Sequence, residues 1–298
     1  MRWPDFFLAG APKSGTTSLY HWLRESPDVF MPELKEPRFF LESIDRSTFF
    51  LPCVTDEADY LALFESAGPN QRIGEATPLY MMDPTAPARI AARCPHAQLV
   101  FVLRDPVERA RSAYHFHETR RATGRSLAEA IDRAERAHGI SDLRVSYLLE
   151  PGFYARHLAA WDRHFDRDRI LVLLFEELVA DEPAAVAVVS RFLEVRCPEL
   201  SPLDAARKNV ALKPRGRLAG RLLRSRGLRA AAGAVLPRTL AKRIGERTLM
   251  RPFEKPRMQP DDRRRLESLY RSDVDGLESR LGRELPWFHR RRALGAAS

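Results

Sequence analysis

Residues 10–18 read Gly-Ala-Pro-Lys-Ser-Gly-Thr-Thr-Ser and directly follow the apolar run Phe6-Phe7-Leu8-Ala9. That order predicts a strand, a glycine-framed turn and the start of a helix, the skeleton of a phosphate-binding loop. Gly10 and Gly15 have the spacing of a nucleotide loop, but ATP and GTP loops place lysine right after the second glycine. Thr16 stands there, and the lysine is inside the loop at Lys13. The anion site is expected to be kept and the nucleotide chemistry to differ. A helix starting at Ser14–Ser18 would leave its first N–H groups without partners, and these groups and the helix dipole favour a phosphate. The hydroxyls of Ser14, Thr16, Thr17 and Ser18 add donors. The plainer alternative is a Ser/Thr-capped helix with no ligand.

The elements that must position this loop alternate along the chain. Strands are expected at 5–9, 72–76, 98–104 and 169–175. Helices are expected near 15–25, 57–66, 86–93, 106–120, 126–138, 153–165, 182–193 and 260–281. Continuous apolar runs such as Leu99-Val100-Phe101-Val102-Leu103 fit strands buried on both faces. The predicted fold class is α/β, a three-layer fold of the P-loop type with a central, mostly parallel sheet and helices on both faces. Ligands of such sheets sit at the C-terminal strand ends. The 10–18 loop, Glu75 and Arg104 all follow strands at that edge.

At 298 residues the chain can bury roughly 75% of its unfolded surface in one large domain. It has no run of apolar residues long enough to span a bilayer. Met1-Arg2-Trp3-Pro4-Asp5 leads straight into the first strand and leaves no room for a signal peptide. Cys53, Cys94 and Cys197 are odd in number and far apart, which reads as reduced thiols in a cytoplasmic protein without metal spacing. The net charge of +9 is uneven: residues 207–257 hold 16 Lys and Arg against Glu246 and Glu254, a net of +14, leaving −5 for the rest. Proline at 237, 252 and 256 rules out one long helix there. The stretch reads as a basic, mainly helical lid-like insertion. A solvated face or a peripheral membrane contact are its alternatives. Aromatics are sparse in it, which weakens a nucleic-acid reading.

Lysine inside the loop followed by Gly-Thr-Thr resembles the sulfotransferases that use 3′-phosphoadenosine 5′-phosphosulfate (PAPS), in particular their heparan-sulfate-like and bacterial branch. Lys35-Glu36-Pro37-Arg38-Phe39-Phe40 resembles that branch's Lys-Glu-x-His-Phe-Phe segment, with Arg38 where histidine is common. Gly74-Glu75-Ala76-Thr77-Pro78-Leu79-Tyr80 resembles its Thr-Pro-x-Tyr strand end. Arg104-Asp105-Pro106 with Ser112 resembles its 3′-phosphate motif, and Tyr154, His157, Leu158 and Trp161 its Tyr-x-x-His-Leu-x-x-Trp helix. The resemblance runs from about residue 5 to 195 and resumes weakly at 260–288.

It implies a single sulfotransferase domain over 1–298 that moves a sulfuryl group from PAPS to a hydroxyl of a carbohydrate or small metabolite. Lys13, Ser14, Gly15, Thr16, Thr17 and Ser18 would hold the 5′ phosphate. Lys13 would also meet charge on the leaving oxygen, where a fixed cation favours the transition state. Arg104 and Ser112 would hold the 3′ phosphate. Lys208, Lys213 and Arg215 are candidates to close over it, although Arg207-Lys208-Asn209-Val210 does not match the family's usual Lys-Gly pattern. Glu36 would be the general base, with a pKa expected to be raised by partial burial. Glu75 is the second candidate and His115 the third. No metal is expected. The alternatives are a P-loop kinase or NTPase, for which Asp105 could hold Mg²⁺, and a basic membrane-surface or nucleic-acid-binding module. On the residues alone, Arg104 could instead pair with Asp105 or Glu108.

Overall fold

The computed structural model describes residues 2–45, 53–121, 123–137, 140, 142–198, 212–214, 250–252 and 257–288. These fall into two compact units. The larger comprises 1–113, 126–200 and 259–298, and the smaller 114–125 and 201–258.

The larger unit is built on a five-stranded sheet of order β2-β3-β1-β4-β5. Its strands are β1 (Phe6–Gly10), β2 (Val29–Phe30), β3 (Arg72–Glu75), β4 (Gln98–Leu103) and β5 (Ile170–Leu174). Every pairing is parallel, as the continuous apolar runs imply. Alternation along the strands gives each face its own core. Phe6, Leu8, Val100 and Val102 pack with Leu19, Trp22, Val186 and Val189 on one side. On the other, Phe7 lies 5.8 Å from Phe40, and Phe101 lies 5.2 Å from Trp161. Each such large apolar side chain, once fully buried, contributes about 1.5–3 kcal/mol.

The helices are α1 (Thr16–Leu23), α2 (Glu57–Ala62), α3 (Ala86–Arg93), α4 (Pro106–Arg121), α5 (Leu127–Arg136), α6 (Leu143–Ser146), α7 (Tyr154–Trp161), α8 (Phe175–Ala180), α9 (Glu182–Phe192) and α10 (Pro260–Leu281). Among the described residues none is long and apolar enough to cross a membrane. Their starts have local causes. Asp56 caps α2 by accepting from the Ala58 and Asp59 N–H groups at 2.8 and 3.1 Å, and Ser126 and Glu129 form a capping box on α5. α10 opens with Pro260 at its first turn and stops at left-handed Gly282.

α10 docks on α7 by contacts specific to it. Asp273 accepts from the Ala155 and Arg156 N–H groups, both at 3.0 Å, and so caps a helix more than a hundred residues earlier. Tyr270 donates to the Leu149 carbonyl at 2.8 Å, and Arg280 makes an ion pair with Asp162.

In the smaller unit the described residues include an antiparallel pair, β6 (Leu212–Pro214) and β7 (Met250–Pro252), with Lys213 opposite Arg251. Lys213 thus stands on a short strand within the basic stretch. Lys208, Arg215 and the rest of the proposed lid lie outside the described residues.

Candidate active site

The loop after β1 forms as its sequence foretells. Gly15 precedes α1 in the left-handed conformation, with φ 89°. A Cβ there would come within 2.9 Å of the Phe175 ring, so the position needs glycine for both its backbone and its space. Lys13 also has positive φ, 72°. Among the described residues the N–H groups of Gly15, Thr16 and Thr17 have no hydrogen-bond acceptor. The Ser14 hydroxyl is fully buried beside the Tyr154 hydroxyl and makes no hydrogen bond of good geometry. Of these residues Ser14 and Thr16 are buried, and an unpaired buried donor carries a cost that an anion would remove.

Arg104 lies at the same edge, just past β4. Its guanidinium stacks 4.5 Å over the Phe175 ring and reaches the Lys13 carbonyl only at a long 3.5 Å. The backbone behind it is fixed by the buried Tyr154 hydroxyl, which donates to the Arg104 carbonyl at 2.8 Å. Arg104 makes no ion pair among the described residues: Glu108 pairs with Arg111 and Arg263. Burial lowers the Arg104 pKa against the fields of Glu108 and Glu176. Arg104 is thus a desolvated cation whose donors are nearly unused, beside a loop with unused N–H groups. Ser112 is buried on α4. These residues fit a ligand with more than one phosphate-like group.

Asp105 has another task. Its Oδ1 accepts from the Val107 and Glu108 N–H groups at 2.8 and 3.3 Å, which caps α4. Burial raises its pKa to about 6.

Glu36 departs from expectation. Its Oε1 accepts from Lys35 Nζ and its Oε2 from Arg38 Nη2, each at 2.8 Å. Both Glu36 and Arg38 have left-handed backbones, φ 65° and 63°, which turns the two cations onto one carboxylate. Burial pushes the Glu36 pKa up, but Lys35 and Arg38 outweigh it and hold the carboxyl below its ordinary value. The expected raised pKa is therefore corrected: Glu36 is an ionised, doubly paired carboxylate.

Between the two candidate bases, the raised carboxyl is Glu75. It is fully buried at the end of β3, and Oε2 accepts from Tyr60 at 3.1 Å and Tyr80 at 2.7 Å. Burial lifts its pKa to about 7. Tyr60 lies fifteen residues before Glu75 in sequence, so only the tertiary fold reveals this pairing. Tyr154 and Trp161 are fully buried core residues, and His157 lends its Nε2 to the Glu150 carbonyl at 2.9 Å. His115 lies on α4 in the smaller unit.

Residues 3–213 match the family model described as a sulfotransferase domain. Heparan sulfate glucosamine 3-O-sulfotransferase 3B1 of Homo sapiens is 33% identical over 193 residues, which is 65% of this chain and 46% of that protein. The bifunctional heparan sulfate N-deacetylase/N-sulfotransferase 3 of Homo sapiens is 29% identical over 209 residues, 65% of this chain and 22% of that protein. The chain thus spans less than half the length of these curated relatives. The crystal structure of a sulfotransferase from Alicyclobacillus acidocaldarius superposes with a TM-score of 0.70 at 25% identity, covering 96% of this chain and 98% of that one.

Proposed function

The chain belongs to the sulfotransferase domain family, and from that membership we propose that it transfers the sulfuryl group of PAPS to a hydroxyl of a carbohydrate or small metabolite. The observation that carries the reading is Arg104, a half-buried cation without an ion pair among the described residues, placed beside the unpaired N–H groups of Gly15, Thr16 and Thr17. PAPS supplies the activated sulfuryl group and two anionic ends for this set of donors.

In this reading the N-terminus of α1 and the Ser14, Thr16, Thr17 and Ser18 hydroxyls hold the 5′ phosphate. Lys13 stands where charge grows on the leaving oxygen, so it binds the transition state better than the ground state. Arg104 and Ser112 take the 3′ phosphate, and the Arg104 fork offers a charge-assisted, bidentate grip. Glu36 accepts the acceptor's proton. Its low pKa keeps it ionised at neutral pH, and it becomes a stronger base as the acceptor displaces Lys35 or Arg38 from its oxygens.

The test pairs calorimetry with an assay. Adenosine 3′,5′-bisphosphate should bind and raise the melting temperature, while ATP with Mg²⁺ should not. PAPS should then lose sulfate to at least one acceptor in a panel of sugars, phenols and small alcohols. Stabilisation by ATP with Mg²⁺ alone would transfer the reading to a kinase.

A further inference from the structure

Glu75 is fully enclosed, so it does not touch an acceptor. Yet it is placed at a cost. Oε2 takes both tyrosine hydroxyls, and Oε1, with the Thr77 hydroxyl nearby, makes no hydrogen bond of good geometry among the described residues. Burying a carboxylate without a cation partner is expensive, and a neutral residue of the same shape would be cheaper. The groups facing it are Tyr60 from α2, Thr77 and Tyr80 from the turn after β3, Cys94 from the end of α3, and Glu36 from the neighbouring loop.

The strand end that carries Glu75 also grips the Glu36 loop at alternate residues. The Glu36 N–H donates to the Ala76 carbonyl at 3.0 Å. The Arg38 N–H donates to Thr77 Oγ1 at 3.4 Å, and the Phe40 N–H to the Tyr80 hydroxyl at 3.3 Å. The Tyr80 hydroxyl can present a lone pair to Phe40 because its proton is committed to Glu75. Left-handed backbones at Glu36 and Arg38 persist only where their surroundings over-determine them.

We propose that Glu75 is a positioning residue for Glu36: it orients the Tyr80 hydroxyl that anchors the 36–40 loop, and its own ionisation modulates how tightly Glu36 holds a proton. This rests on the reading of Glu36 as the base. Glu36 is among the charges that raise the proton affinity of Glu75, and such an interaction acts equally in both directions. The burial-raised Glu75 carboxyl titrates near neutrality, so the basicity of Glu36 rises as Glu75 loses its proton.

The experiment is a pH profile of kcat/KM for wild type, Glu75→Gln and Tyr80→Phe, with adenosine 3′,5′-bisphosphate affinity measured in each. Wild type should show the acid limb of Glu36 and a second, shallower rise of at most about threefold near neutrality, the full expression of about half a pKa unit of coupling. Glu75→Gln should lose the second rise and keep its nucleotide affinity. Tyr80→Phe should move that rise to higher pH, because it removes a hydroxyl that stabilises the carboxylate. A Glu75→Gln profile that overlays wild type after scaling, as a purely structural role predicts, overturns the proposal. If that variant does not fold, an unmoved rise in Tyr80→Phe overturns it instead. An activity-free readout separates this proposal from the donor reading. Infrared titration should show a carboxylic-acid band that disappears near neutral pH, and Glu36→Gln should shift that titration to lower pH. Failure to bind the nucleotide would sink the sulfotransferase reading, while an unshifted band in Glu36→Gln would sink the coupling.

Discussion

Replacing Arg104 by methionine should move stability and ligand binding in different ways, and that contrast tests the site. In the free protein the guanidinium gains little: a long 3.5 Å contact to the Lys13 carbonyl and a cation–π stack on Phe175 at 4.5 Å. The stack is worth about 0.5–1 kcal/mol, and methionine recovers part of it through S–aromatic contact. Against this stands the desolvation that lowers the arginine's pKa. The two effects nearly cancel, so urea unfolding of Arg104→Met should lie within about 1 kcal/mol of wild type. Binding should respond differently. A charge-assisted bond to the 3′ phosphate is worth about 1.5–3 kcal/mol, which at 1.4 kcal/mol per decade weakens adenosine 3′,5′-bisphosphate about 10- to 150-fold. AMP, lacking that phosphate, should bind both proteins alike. A variant destabilised by more than about 3 kcal/mol, on the scale of a broken buried ion pair, with its preference for the bisphosphate over AMP intact, would falsify the assignment and make Arg104 a structural residue.

Lys13→Ala should reduce kcat about 10²–10³-fold while changing PAPS affinity far less; a kcat within a factor of about two of wild type refutes its place at the leaving oxygen. Arg38→Met removes one of the two cations on Glu36, so the acid limb of kcat/KM should move up by about one pH unit, and an unmoved limb counts against Glu36 as the base. His157 is buried as the neutral imidazole, with its pKa pushed down by burial from 6.5 to about 4. Its folded form binds fewer protons than the unfolded chain between these values, so it contributes stability above the upper one that is lost as pH falls toward the lower. That loss should be about 3 kcal/mol and should be absent in His157→Gln; parallel pH–stability curves for the two proteins would refute it.

Where local spacing decides an element, the sequence reveals it. The glycine pair and hydroxyl run at 10–18, the apolar run of β4, and the Pro260 start of α10 all stand where expected. β2 was not legible, since Val29–Phe30 is a strand only through pairing with Arg72 and Ile73. α8 was hidden because Phe175 ends an apolar run yet starts a helix, with Glu177 reaching back to the Leu174 N–H at 3.3 Å. At the site, residue types were readable but their electrostatics were not. Lys35, Glu36 and Arg38 look like a solvated charged loop until two positive φ angles bring both cations onto one carboxylate. Glu75 looks like an alternative base until the fold closes Tyr60 and Tyr80 over it.

The cap that Asp273 places on α7 closes a long circuit of the chain. It fastens the chain back onto the larger unit after residue 260, just as α9 fastens it before residue 193. The stretch between these two moorings is therefore, in topological terms, a tethered excursion. Doubling its length would raise the entropy of closure by only about 0.6 kcal/mol. The ends of β1 and β4 that carry the 10–18 loop and Arg104 are held by pairing among strands outside that stretch. The sheet edge that carries the loop and Arg104 is thus secured by the chain on either side of that stretch.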